Sequence, residues 1–221
     1  MKRANPSFDR LARWYRPLET LAFGRDLERA RFAHLGRLAA CRSILLLGEG
    51  DGRCVERVAA LVPQARIECV DASPGMIERA GRRVAATPAA GRIRFTRSDI
   101  FAFRPQPGAY DAVCTLFFLD CFDAEGVASV IARVAPGLAP GALWLHADFV
   151  MPESGYDRLR ARAWLALLYA FFRWETGLAV HSLPPSETLL GEAGWSRVDT
   201  LSLQRGLVRS SVFVRGSKGT Y

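Results

Sequence analysis

Apolar and polar positions along this chain alternate between the spacing of a strand and the spacing of a helix. Five short apolar runs bounded by glycine, proline or polar residues predict strands over residues 44–47, 65–70, 93–96, 110–118 and 142–149. Apolar residues three or four apart predict helices between several of these runs, over 53–62, 73–86 and 124–134. Strands that alternate with helices predict a mostly parallel sheet covered on both faces.

The last third of the chain has a different pattern. A helix with one strongly apolar face is predicted over 155–174, and another begins at Pro184 and ends at Gly194. Beyond it, alternating residues on either side of a short turn predict an antiparallel hairpin over 196–203 and 207–215. We therefore predict an α/β fold with a doubly wound, mostly parallel seven-stranded sheet that ends in an antiparallel hairpin.

The composition narrows the class of protein. Half of the 221 residues are hydrophobic and 24% are charged, as in soluble globular proteins. The net charge of +8 comes almost entirely from arginine, because Lys2 and Lys218 are the only lysines. No segment interleaves arginines with aromatic residues as nucleic-acid-binding modules do, so no nucleic acid partner is expected. Contact with a membrane surface is a less favoured alternative.

The cysteines and the apolar segments bear on the cellular location. The five cysteines are odd in number and form no Cys-x-x-Cys pair, which predicts neither a disulfide framework nor a metal site. The longest apolar segment is too short for a bilayer, which needs about 20 residues, and the first residues lack the apolar core of a signal peptide. A cytoplasmic protein is expected.

The richest local pattern is a glycine turn that follows the first strand. Gly48, Gly50 and Gly52 occupy alternate positions, and Asp71 closes the second strand 21 residues after Gly50. Backbone amides of such a turn and a carboxylate at the next strand end can together hold an adenosine. Arg53 stands where the dinucleotide-binding pattern has its third glycine, so the turn favours a ligand without a pyrophosphate.

Six segments in order resemble those of the class I S-adenosylmethionine-dependent methyltransferases, which have a Rossmann-like fold. The resemblance extends from Ser43 to Val214, and its segments are 45–52, 70–77, 98–100, 110–115, 130–134 with 138–145, and 189–195. It implies that residues 41–221 form the S-adenosylmethionine-binding core. It also implies that residues 1–40, whose apolar residues between Phe8 and Leu38 have helical spacing, form an N-terminal helical cap over the active site.

The resemblance implies S-adenosylmethionine as the cofactor. The residues that match the family's cofactor contacts are Gly48, Glu49, Gly50, Gly52, Asp71, Ala72, Met76, Ser98, Asp99, Ile100 and Thr115. Many members carry an acidic residue two positions before the first glycine, where this chain has Leu46. Glu49 is therefore a candidate for the carboxylate that meets the ammonium group of the cofactor, and a solvated turn residue is the alternative.

Residues that follow the fourth and fifth strands are predicted to hold the methyl acceptor, because ligands bind outside the carboxyl ends of parallel strands. His146, as general base, and Asp148 are the candidate catalytic residues, and a packed core histidine is the alternative for His146. Asp120 is either a substrate contact or a helix cap. The predicted substrate contacts are Tyr15, Phe117, Phe118, Asp120, Tyr169, Arg173 and His181.

The favoured function is methyl transfer to a small apolar or aromatic metabolite or a lipid-like acceptor by a monomer or homodimer. Two alternatives come from other classes of protein. One is a nicotinamide-dependent reductase on a related sheet. The other is a non-catalytic module that binds the cofactor.

Overall fold

A computed structural model of the chain describes residues 25–152, 154–163 and 183–215. Seven strands in this part of the chain form a sheet in the order β3-β2-β1-β4-β5-β7-β6. The strands are β1 Ser43–Leu47, β2 Arg66–Asp71, β3 Ile93–Arg97, β4 Tyr110–Leu116, β5 Leu138–Phe149, β6 Trp195–Leu203 and β7 Val208–Arg215. The first five are parallel, and β7 is antiparallel to β5 and β6. The predicted fold class is confirmed.

Two of the helices begin at residues whose side chains cap them. The helices are α1 Asp26–Phe32, α2 Arg53–Leu61, α3 Pro74–Ala85, α4 Ala124–Val134 and α5 Ser186–Glu192, and residues 155–163 are also helical. Ser73 Oγ accepts the Met76 amide at 3.2 Å before α3, and Asp123 Oδ1 accepts the Gly126 amide at 2.8 Å before α4. Both N-caps satisfy amides that the helix itself leaves without partners.

The sheet is covered on both faces, and β1 shows this directly. Ile44 and Leu46 pack in the core cluster formed with α2 and α3. Leu45 and Leu47 pack in the cluster formed with α4 and α5. All four side chains are buried because successive residues of a strand point to opposite faces. The continuous apolar run therefore has the structure expected of a central parallel strand.

Two strand boundaries differ by more than one residue from the predicted ones. β5 begins at Leu138, so Pro140 and Gly141 lie inside the strand instead of in a turn before it. The ladder between β4 and β5 shifts register between Tyr110 and Ala112. This irregularity accommodates Pro140 and Gly141 within β5. β4 ends at Leu116, two residues early.

Several predictions fall on residues that the structure does not describe. These are the helices predicted before residue 25, the part of the 155–174 helix after 163, and the substrate contacts Tyr15, Tyr169, Arg173 and His181. All five cysteines are free thiols, and four of them are buried. None of the described helices is long and apolar enough to cross a membrane.

Candidate functional site

The sheet order creates a crevice at the carboxyl ends of its central strands. β1 lies between β2 and β4, so the connections that leave β1 and β4 run to opposite sides of the sheet. Ligands of open α/β sheets bind at such a switch point. The loops that follow β1, β2, β3, β4 and β5 therefore form the candidate site.

The glycine turn lies in the middle of this edge. Gly48, Gly50 and Gly52 all have left-handed backbone conformations, with φ of +63°, +75° and +91°. A Cβ on Gly48 would collide with the ring of Phe118, and one on Gly52 would lie 2.6 Å from the Cα of Ala80 in α3. A Cβ on Gly50 would meet nothing within 4 Å. Gly50 is thus the point where a ligand can approach the backbone most closely.

The close packing expected of a third glycine is provided by Gly52. Its missing side chain allows the turn to approach Ala80 of α3. The neighbouring Arg53 directs its guanidinium to Asp51, with a distance of 3.0 Å between Nε and Oδ1. Arg53 therefore does not prevent α2 and α3 from packing closely behind the turn.

Backbone hydrogen bonds join the first three loops at this edge. The Gly48 amide donates to the Val70 carbonyl at 2.9 Å, and the Ser98 amide donates to the Asp71 carbonyl at 3.0 Å. The Asp71 carboxylate accepts the Ser73 amide at 2.8 Å and, at a longer 3.4 Å, the Gly50 amide. The structure thus brings Asp71, which is predicted to bind the ribose, beside the glycine turn.

Glu49 is partly buried and its carboxyl group points into the turn, so it is not the solvated turn residue that the alternative interpretation required. Its Oε1 accepts the Val55 amide at 2.8 Å in the first turn of α2. Its Oε2 is buried and has no hydrogen-bond partner among the residues that the structure describes. Burial raises the pKa of Glu49 to about 7, against the lowering effect of the Val55 amide, and nearby Asp51 raises it further. The turn therefore contains a carboxyl group with one unsatisfied oxygen.

The loops after β2 and β3 hold the predicted adenine contacts. Ala72 and Met76 are partly buried at the start of α3, while Ile100 is buried against the α4 side of the core. Asp99 is exposed and its Oδ1 accepts the Phe101 amide at 2.9 Å. Ser98 donates from Oγ to the Asp99 carbonyl at 3.0 Å. These residues line the β2–β3 side of the edge.

Residues after β4 make the opposite side of the crevice. Phe117 has a φ of +59°, a rare conformation for a residue with a side chain, and its amide donates to the Ala147 carbonyl at 2.7 Å. This turn brings Phe118 over Gly48, where its ring contacts Phe122 edge-on with 5.2 Å between centroids. Phe101 contacts the other side of Phe122 at 5.4 Å. An aromatic cluster, Phe101–Phe118–Phe122, thus borders the glycine turn.

Asp120 and Asp148 meet at the ends of β4 and β5. Asp148 Oδ2 accepts the Asp120 backbone amide at 3.0 Å. Burial raises the pKa of Asp120 to about 6. Burial, followed by the charge of Asp120, raises the pKa of Asp148 well above its usual range. Both carboxyl groups therefore take up a proton at a higher pH than a surface aspartate does.

His146 lies on the same face of β5 as Asp148 because the strand continues to Phe149. Its side chain is only 2% exposed, and its Nδ1 is 3.2 Å from Thr115 Oγ1. The Thr115 hydroxyl also accepts the indole N–H of Trp144 at 2.9 Å. Burial lowers the pKa of His146 to about 4, with nearby Glu187 opposing the shift. These contacts favour the packed-histidine alternative. The hydroxyl of Thr115, which was predicted to contact the cofactor, instead bonds to His146 and Trp144 in the core.

Sequence patterns did not reveal the acid pair as a pair. Asp120 and Asp148 are 28 residues apart, and only the register of β4 against β5 brings them together. The aromatic partners Phe101 and Phe122 were also missed, because their loops have no recognisable spacing. Among the described residues, no group of three His, Cys, Asp or Glu side chains could hold a metal ion.

Comparison with known proteins identifies the domain. A family model described as "Methyltransferase domain" matches residues 44–141. Trans-aconitate 2-methyltransferase from Paracidovorax citrulli (strain AAC00-1) is 37% identical over 121 residues, which cover 52% of this chain and 44% of the relative. The chain thus spans less than half of the length of this curated relative.

Solved structures share the fold at lower identity. The mitomycin 7-O-methyltransferase MmcR is 19% identical with a TM-score of 0.67, and the match covers 95% of this chain and 61% of that chain. The N-methyltransferase NodS from Bradyrhizobium japonicum WM9, solved with S-adenosyl-L-homocysteine, is also 19% identical with a TM-score of 0.63 and covers 86% and 88%. The family model, the sheet order and the structural neighbours agree: residues 44–141 are similar to a methyltransferase domain, and the chain has the fold of these solved methyltransferases.

Proposed function

We propose that the protein transfers a methyl group from S-adenosylmethionine to a small apolar or aromatic acceptor. The observation that carries this proposal is the edge formed by Gly50, which leaves its backbone open, and by Asp71, whose carboxylate lies beside it. Amides and a carboxylate in this arrangement suit the methionine portion and the ribose of the cofactor. Two of the proteins named above have a small molecule in their names, trans-aconitate and mitomycin, which supports a small-molecule acceptor.

The residues at the turn fit the charges of this cofactor. Its ammonium group needs a carboxylate, and Glu49 supplies a buried oxygen, Oε2, that has no partner in the described part of the chain. Burying a polar oxygen without a partner is costly, so an arriving cation would be bound favourably there. Asp71 and Asp99 lie at the ends of β2 and β3, where the ribose hydroxyls and the adenine amino group need acceptors.

The cofactor supplies a sulfonium-activated methyl group, so the protein must mainly align the acceptor and exclude water. The aromatic cluster of Phe101, Phe118 and Phe122 is suited to these tasks because its Phe118 ring covers the turn at Gly48. Phe118 belongs to the loop after β4, and its ring reaches the glycine turn. It is therefore the described residue best located to contact both ligands.

Isothermal titration with S-adenosylhomocysteine tests the cofactor site. Asp71→Asn should weaken binding at least about tenfold, because it removes a charged acceptor worth roughly 1.5–3 kcal/mol. Glu78→Gln is the matched control, since Glu78 is an exposed α3 residue whose Oε1 lies 2.6 Å from Nη1 of Arg82. No binding by the wild-type protein, or equal affinity in the Asp71→Asn variant, would contradict the proposal.

The same titration separates the alternatives. Binding of NADH in place of S-adenosylhomocysteine would favour a nicotinamide-dependent reductase. Binding of S-adenosylhomocysteine without methyl transfer to any acceptor would favour a non-catalytic module. The cytoplasmic location and the monomeric or homodimeric state stay predictions, as do the substrate contacts Tyr15, Tyr169, Arg173 and His181.

A further inference from the structure

The acid pair Asp120–Asp148 has a chemistry that methyl transfer by itself does not require. Asp148 is buried and Asp120 is partly buried, and both lie where β4 and β5 end, beside the aromatic cluster, with the Asp120 backbone amide donating to Asp148 Oδ2 at 3.0 Å. No ion pair joins either acid to a cation within the described ranges. Burial and the neighbouring negative charge make it unfavourable for both carboxyl groups to be ionised together.

We propose that Asp120 accepts the proton of an aromatic hydroxyl on the acceptor and that Asp148 positions Asp120, so that the site selects phenols over carboxylates. This inference rests on the proposed function, because it concerns the acceptor half of the same site. It differs from the prediction of His146 as general base, since that ring is enclosed by the core.

The two acids differ in what holds them. Asp148 is 2% exposed, and backbone amides occupy both of its oxygens: Asp120 donates to Oδ2 and Phe149 donates to Oδ1, each at 3.0 Å. Asp120 is only partly buried, and its Oδ1 receives a weak contact from the Cys121 thiol at 3.7 Å. Asp120 is therefore the member of the pair that can contact an acceptor, and Asp148 acts through it.

The charges on neighbouring elements leave the pair acidic. On β7, Arg209 is the residue opposite Asp148, but its guanidinium binds Glu187 of α5 at 2.9 Å. On β5, His146 shares the face of Asp148 and its lowered pKa keeps it neutral. On β2, Asp71 adds negative charge near Cys121. A carboxylate acceptor would bring one more negative charge into this environment, whereas a hydroxyl would bring a hydrogen-bond donor.

The surroundings suit a flat acceptor. The strained turn at Phe117 carries its ring against Phe149, with 5.6 Å between centroids, and carries Phe118 to the opposite side over Gly48. Aromatic rings therefore flank the loop that leads to Asp120. Rings of this kind favour an aromatic ligand through edge-to-face or offset contacts.

Methyl transfer to a hydroxyl oxygen releases one proton. The acceptor oxygen forms a bond to the methyl carbon while the bond between that carbon and sulfur breaks, and the electron pair of the broken bond stays on sulfur. The hydroxyl proton passes to the Asp120 carboxylate and then to solvent. No oxidant, reductant or metal takes part.

Binding of 2-naphthol and 2-naphthoate to the S-adenosylhomocysteine-loaded protein tests the selectivity, because the two probes share a ring and differ in charge. At pH 7.5 we expect 2-naphthol to bind at least about tenfold more tightly. Asp120→Asn should reduce the preference to less than about threefold, since the amide removes the charge that repels naphthoate. Asp123→Asn is the matched control: it removes an exposed charge three residues away and keeps a good helix N-cap.

Asp148→Asn tests the positioning role through pH dependence. In the wild type, affinity for 2-naphthol should fall as the pH drops through about 6, where Asp120 becomes protonated. The Asp148→Asn variant should move this midpoint by at least about half a pH unit. A change in thermal stability with an unmoved midpoint would show that Asp148 is only structural, which contradicts the proposal.

The outcomes distinguish this inference from the proposed function. Failure of the wild type to bind S-adenosylhomocysteine overturns both. If S-adenosylhomocysteine binds but 2-naphthol does not, or if naphthoate binds equally well, only the acid-pair proposal is overturned. An Asp120→Asn variant that keeps the full preference for 2-naphthol also overturns it.

Discussion

The glycine turn after β1 and the acid pair after β4 and β5 lie at the same edge of the sheet, but different contacts hold them. The turn is built from backbone: three left-handed glycines and amides that donate to neighbouring strand ends. The acid pair is built from side chains that meet only through strand register. A cofactor common to a whole family suits the first type of site, and an acceptor that differs between members suits the second.

The largest expected effect on stability tests the glycine turn, which is the part of the site built from backbone. In Gly52→Ala, the added Cβ would lie 2.6 Å from the Cα of Ala80, at a φ of +91°. Overpacking and backbone strain together should lower the free energy of unfolding by about 4 kcal/mol in urea titrations. Gly81→Ala is the control within α3, where a Cβ meets nothing and a gain of about 0.5–1 kcal/mol is expected. Equal stability of both variants would mean that the turn is not held by close packing.

Glu49→Gln tests the carboxyl group within the same glycine turn. The pKa of Glu49 is raised to about 7 in the folded protein, so the folded state binds more protons than the unfolded state between pH 4.5 and 7. Relative to the variant, the wild type should therefore lose about 3 kcal/mol of stability as the pH rises through this window. Chemical unfolding at several pH values measures the difference.

A ligand sharpens the Glu49 experiment. The ammonium group of bound S-adenosylhomocysteine would lower the pKa of Glu49 and flatten the wild-type slope. If the stability of the wild type depends on pH equally with and without saturating S-adenosylhomocysteine, Glu49 does not contact the ammonium group. Parallel curves for wild type and Glu49→Gln would contradict the buried, unsatisfied state of the side chain.

His146→Gln tests the part of the site that is built from side chains. Here the stability difference between wild type and variant should change with pH in the opposite direction. The pKa of His146 is lowered to about 4, so the unfolded chain binds more protons between pH 4 and 6.5. The wild type should lose about 2–3 kcal/mol relative to the variant as the pH falls through this window. Unfolding curves that do not diverge at low pH would show that the ring is not enclosed, and would restore it as a candidate base.

The smallest expected effect on stability concerns Phe118, whose ring lies over the glycine turn and whose loop leads to the acid pair. Phe118→Leu loses the edge-on contact with Phe122 and should cost about 1 kcal/mol of stability. Phe101→Leu loses a similar contact with Phe122 but does not cover Gly48. Only Phe118→Leu should also alter the affinity for S-adenosylhomocysteine in titrations. Equal affinity in both variants would separate Phe118 from the cofactor site.

Much of the fold could be predicted from the chain because its information is local. The buried run of β1, the caps Ser73 and Asp123, and the hairpin at the end each depend on residues close in sequence. The start of β5 could not be predicted, since Pro140 and Gly141 read as a turn but lie in an irregular strand. Leu138 before them pairs with Tyr110 and Leu143 after them pairs with Ala112, so the pairing of flanking residues with β4 continues the strand through them.

The site divides in the same way. The sequence by itself determined the glycine turn and Asp71, because a strand, a turn and a second strand end lie within about thirty residues and need only the parallel sheet to meet. Tertiary structure alone decided that Glu49 Oε2 is buried without a partner among the described residues, that His146 is enclosed by Thr115 and Trp144, and that Asp120 and Asp148 meet at the ends of β4 and β5. Burial and strand register set these properties, and neither is encoded in the spacing of residues along the chain.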